Sequence, residues 1–166
     1  MTENEKYIFD LRGVIVVPNA LSAEQVAEMN ALMDEQFEKE CESDTHTYRF
    51  GDLLHWGEVY QNLIDNPAVV PFLVELLGPT FRLDHDYAEI MRPGSGPLGR
   101  TLHAARFPFD PTQYFNFHQG RMRNGLTVVA YNLKDVNPGD GGFRCVPGSH
   151  KSNYPFPEEW RSSDNM

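Results

Sequence analysis

Imidazole and carboxylate side chains hold divalent metal ions and carry protons, and this chain has six histidines and 24 acidic residues to offer. Spacing decides which of them can act together. His85 stands between Asp84 and Asp86 in a run, Phe81 to Met91, that alternates well enough for a strand. Successive strand residues point to opposite faces, so His85 cannot easily share one metal ion with either neighbour. His46 and His55 lie nine residues apart with no carboxylate at ligand spacing, the pattern of loop or surface histidines. The two cysteines, Cys41 and Cys145, form no Cys-x-x-Cys pair, which leaves a zinc ribbon and a disulfide framework unsupported and suits a reducing cytoplasm.

One stretch organises the rest, Gly125 to Lys151, GLTVVAYNLKDVNPGDGGFRCVPGSHK. Leu126 to Tyr131 is apolar, β-branched and aromatic, and reads as a buried strand. Asn137-Pro138-Gly139-Asp140-Gly141-Gly142 turns the chain, Pro presetting φ and the glycines accepting positive φ. Phe143 to Val146 makes a second short strand that stops at Pro147-Gly148 and presents Ser149, His150 and Lys151. The expected unit is a β-hairpin of an antiparallel sheet that curls on itself.

This stretch, and above all Val146-Pro147-Gly148-Ser149-His150-Lys151, resembles the phytanoyl-CoA dioxygenase family. The likeness extends less sharply to the first long helix and to the segment around His103. The resemblance implies a non-haem iron(II), 2-oxoglutarate-dependent oxygenase that hydroxylates an aliphatic C–H of a small organic substrate. It implies a partial double-stranded β-helix of the jelly-roll or cupin kind, mainly β with α-helices packed outside. Residues 1–166 would be one domain without the family's C-terminal part, because fifteen residues follow Lys151 and contain no histidine.

What the resemblance implies for the site follows residue by residue. Such an enzyme holds iron with two histidines and a carboxylate, the first histidine and the carboxylate coming as His-x-Asp and the second histidine downstream of the PGSHK turn. The best match is His103, in Leu102-His103-Ala104-Ala105, with Ala105 where the carboxylate belongs. His118, in His118-Gln119-Gly120, is second, with Gly120 in that place. The carboxylate then comes from Asp84, Asp86 or Asp110, or the iron keeps an open position, as in related halogenating enzymes. Tyr131 matches an aromatic beside the 2-oxoglutarate pocket, and Asn124 is expected to face the same pocket. His150 is expected to cap its own turn rather than bind iron. The rival reading is a catalytically inactive β-barrel-like domain that binds a ligand or a partner chain.

The remaining sequence must position these residues. At 166 residues with 40% hydrophobic content, one domain with a sizeable core is expected. Eleven Phe and seven Tyr favour a sheet-rich fold with a lined cavity. A net charge of −10 argues against nucleic acid or an anionic membrane surface as partner. The start is acidic and polar, and no apolar run is long enough to span a bilayer. Gly13 to Val17 reads as a short strand. Ser22 and Gln25 form a capping box that opens a helix to about Glu40, with Val26, Met29, Met33 and Phe37 on its buried stripe. Thr45 to Tyr60 reads as irregular, Leu63 to Leu77 as broken helix with Pro67 and Pro71 in first turns, Arg100 to Ala105 as a strand end, and Phe107 to Gln119 as an aromatic loop. At least four strands are expected after Phe81.

Overall fold

The computed structural model describes residues 1–92, 112–137, 140, 142–157 and 159. The chain opens with a helix, α1 (Glu3–Arg12), which the sequence reading did not include. Its signals are local. Thr2 and Glu5 close a capping box at the first turn, and Gly13 ends the helix with φ of 72°, a conformation glycine adopts without steric cost. Val14 to Val17 lie in no strand, and Val16 is exposed.

The second helix, α2 (Ala23–Glu40), forms as expected. The Ser22 Oγ accepts from the Gln25 amide at 3.2 Å, and the Gln25 Oε1 accepts from the Ser22 amide at 2.9 Å. Met29, Met33 and Phe37 are buried on one stripe. They meet Phe50, Leu53, Val59 and Tyr60 in the main core. Those four come from the stretch read as irregular, which instead contains β1 (Thr47–Gly51), a 3-10 turn (Leu53–Trp56) and the one-turn helix α3 (Glu58–Gln61). Phe50, Trp56 and Tyr60 stack edge to face, with ring centroids 5.2 and 5.3 Å apart, and carry most of the aromatic mass in this core.

Helix α4 (Val70–Leu77) has Pro71 in its first turn, where the missing amide costs nothing, and Gly78 follows it. Asn66, 4% exposed, holds the approach: its Nδ2 donates to the Ala20 carbonyl at 2.8 Å, and its Oδ1 accepts from the Ala68 amide at 2.9 Å. The expected strand from Phe81 is confined to β2 (Tyr87–Met91), which pairs antiparallel with β1. Ala88 and Ile90 turn inward against the core, while Arg49 and Glu89 form an ion pair across the outer face.

Part of the expected aromatic loop is a hairpin: β3 (Phe115–His118) pairs antiparallel with β4 (Arg121–Asn124). Gln119 and Gly120, at φ of 51° and 74°, connect them, as a two-residue turn compatible with strand twist requires. Met122 enters a second cluster with Phe9 of α1 and Leu76 of α4. Beyond the hairpin the Gly125 amide donates to the Tyr114 carbonyl at 2.8 Å, and the Leu126 amide to the Thr112 carbonyl at 2.7 Å. A Cβ on Gly125 would lie 1.9 Å from the Thr112 oxygen, so this approach needs glycine.

Leu126 to Tyr131 and Phe143 to Val146 belong to no strand, correcting the expected hairpin. Strand identity requires a ladder partner, and Val128 and Phe143 remain 67% and 69% exposed instead of meeting one. Three strands follow Phe81 among the described residues, against the four expected, and no closed barrel forms there. Leu133 still docks on the core, and its carbonyl accepts from Asn30 Nδ2 of α2 at 2.9 Å. No helix among the described residues is long and apolar enough to cross a membrane.

Candidate functional site

Three of the residues singled out in the sequence, His103, Ala105 and Asp110, lie outside the described residues, as does the expected strand end from Arg100 to Ala105. The others are spread over several elements. His118 sits at the tip of the β3–β4 hairpin opposite Arg121, exposed. His85 precedes β2, with its Nδ1 at 2.8 Å from Asp84 Oδ2 and its ring stacked 5.8 Å from that of Tyr87. Adjacent strand residues could not meet in this way. The local backbone, which is outside any strand, lets His85 and Asp84 pair at the surface. Among the described residues, no three His, Cys, Asp or Glu side chains converge where they could hold one metal ion.

The two residues expected at the 2-oxoglutarate pocket have different environments. Tyr131 is half-buried, and its hydroxyl donates to the Leu63 carbonyl at 3.2 Å. Burial raises its phenol above the ordinary value, a hydrogen bond from Asn66 acting in the opposite direction. Its oxygen is therefore committed to the scaffold, and its ring is what it can offer a ligand. Asn124 ends β4, on the same face as buried Met122, and among the described residues its Oδ1 is buried without a hydrogen-bond partner. Asp86 Oδ2 shares that condition. A buried acceptor without a donor is costly, so each oxygen is suited to accept from a water or a ligand group.

His150 does not cap its own turn, as expected from the sequence, but reaches across to α1. It belongs to a short 3-10 turn (Ser149–Lys151), and its Nε2 is 3.1 Å from the carbonyl of Asp10, 140 positions away on α1. The Gly148 amide donates to the Arg12 carbonyl at 3.0 Å, and Lys151 Nζ lies 3.0 Å from Asp10 Oδ2. The turn thus satisfies carbonyls at the C-terminus of α1 that the helix cannot satisfy itself. Sequence reasoning missed this junction; its one local sign is Gly13, where a Cβ would lie 2.3 Å from His150 Nδ1.

Comparison with known proteins adds what this geometry does not show. No curated protein matches the chain. Among solved structures, HygX from Streptomyces hygroscopicus with nickel and 2-oxoglutarate bound is similar, with a TM-score of 0.73 and 22% identity, over 96% of this chain and 65% of that one. The same protein with iron bound gives a TM-score of 0.68 and 21% identity, over 94% of this chain and 63% of that one. The chain thus shares the fold of HygX over most of its own length and spans just under two thirds of the length of those chains. The family model for phytanoyl-CoA dioxygenase matches residues 9–166, and the chain belongs to that family.

Proposed function

We propose that this protein serves as an iron(II)- and 2-oxoglutarate-dependent oxygenase that hydroxylates an aliphatic C–H of a small organic substrate in a reducing cytoplasm. The observation that carries this reading is the family match over residues 9–166. The fold shared with a protein solved with iron, and with nickel and 2-oxoglutarate, supports it. His103 is the proposed metal ligand of this chain. The described residues do not by themselves make up a donor set for iron, so no chemical step is assigned to them. Their work is to shape the site. The Tyr131 ring, fixed through Leu63, would wall the 2-oxoglutarate pocket, and the Asn124 amide at the end of β4 would face into it.

A second reading is favoured by Ala105, which stands where the family places its carboxylate. It makes the chain a binding domain without catalysis, or a halogenase-type variant with an open iron position. Calorimetric titration of 2-oxoglutarate under anaerobic conditions, with iron(II) in excess, tests the first reading. It expects saturable binding that Tyr131→Ala weakens. Affinity unchanged in Tyr131→Ala would remove Tyr131 from the pocket, and no binding at all would favour the domain without catalysis.

A further inference from the structure

His150 sits at a junction of three elements. Its ring packs edge to face on Phe115 of β3, with centroids 4.7 Å apart, and lies 6.2 Å from Phe9 of α1 at a tilt of 54°. Its Nδ1 side abuts Gly13, the residue that ends α1. The two ring nitrogens differ. Nε2 meets the Asp10 carbonyl and must carry the proton, because a carbonyl can only accept. Among the described residues, Nδ1 is buried with no partner.

We propose that the Gly148–Lys151 turn is an acid-released latch on the N-terminal helix, with His150 as its trigger. Protonation of the imidazole places a second N–H, at Nδ1, in a buried spot where it has no hydrogen-bond partner among the described residues, and places a charge among Phe9, Phe115 and the Gly13 backbone. Both changes disfavour the closed form. The charged groups facing the ring are Asp10 on α1 and Lys151 on its own turn; among the described residues β3 brings the ring of Phe115. Asp10 and the C-terminal end of the helix dipole favour a cation. The Asp10 carboxylate is already engaged by Lys151, whose own charge opposes a second cation. Burial dominates and holds His150 below its ordinary value, with the Asp10 carbonyl bond raising it less.

The sign follows from linkage. The unfastened turn takes up the proton more readily than the fastened one. The latch is therefore at full strength above the ordinary histidine value, weakens as pH falls through about 6.5, and levels off below the lowered value of the closed form. Opening separates Phe9 of α1 from Leu76 and Met122, with which it is buried.

Amide hydrogen exchange at about pH 7.5 and about pH 5.5, corrected for intrinsic rates, reads the latch directly. Protection of α1 should fall several-fold at the lower pH while α2 holds, and His150→Gln, which keeps a donor but does not titrate in this range, should remove the difference. Equal α1 protection at both values, or the same fall in His150→Gln, would overturn the proposal. Should His150→Gln fail to fold, NMR titration of the His150 ring in the unaltered protein decides: a value below about 6.5 supports the latch, and one at or above it refutes the latch.

Discussion

Tyr60 shows how much one side chain can hold. It is 1% exposed, its hydroxyl donates to the Met29 carbonyl at 2.9 Å, and burial pushes its phenol up to about 12. An unfolded tyrosine ionises near its ordinary value of 10, so above that pH the unfolded chain binds fewer protons than the folded one. The stability that Tyr60 contributes is complete below pH 10 and is lost as pH rises toward 12. Denaturant unfolding across that range should show the loss, reduced in Tyr60→Phe. That variant should also cost about 0.5–1.5 kcal/mol at neutral pH, because a buried hydrogen bond is lost while the Met29 carbonyl keeps its helical partner. Met29 itself, 2% exposed, was legible in the sequence from its spacing with Met33 and Phe37. Met29→Asp should destabilise by more than about 3 kcal/mol, and exposed Glu28→Lys by less than about 0.5 kcal/mol. Equal thermal midpoints for the two would show that the stripe is not core. Tyr60 was not legible in this way, since its burial comes from Phe50 and Trp56 on neighbouring elements and from α2 above.

At the scale of elements, short-range chemistry was readable and pairing was not. The Ser22–Gln25 box marked α2 to the residue, and Ser22→Ala should cost about 1 kcal/mol by chemical denaturation, with no loss placing the stabilisation elsewhere. The equivalent Thr2–Glu5 box marks α1 just as clearly, and the sequence reading passed over it. The hairpin β3–β4 was hidden because its strands are only four residues each, too short for their alternation to stand out from an aromatic loop, and its turn is Gln-Gly rather than Asn-Gly. The opposite error came at Leu126 to Tyr131, whose composition fits a strand and whose backbone finds no ladder among the described residues. Gly125 is the pivot between these segments. Gly125→Ala would drive a Cβ into the Thr112 carbonyl, a backbone atom that cannot rotate away. It should abolish slow exchange at the amides of residues 125 and 126; unchanged protection would mean that the junction yields at little cost.

For the whole molecule, the PGSHK stretch was sufficient to place the chain in its family, and the family match covers residues 9–166. The candidate site was less legible, because a metal centre gathers donors from distant elements and no local period records them. His103 rests on motif position alone, and Tyr131 and Asn124 were placed beside the pocket by resemblance. The structure adds that the Tyr131 hydroxyl is already bound and that Asn124 Oδ1, among the described residues, is not. What matters most is whether His103 holds iron. Anaerobic iron(II) titration with 2-oxoglutarate present, on this chain and on its His103→Ala variant, measures that most directly. The account predicts saturable iron(II) binding that His103→Ala abolishes. Affinity that survives His103→Ala would contradict it.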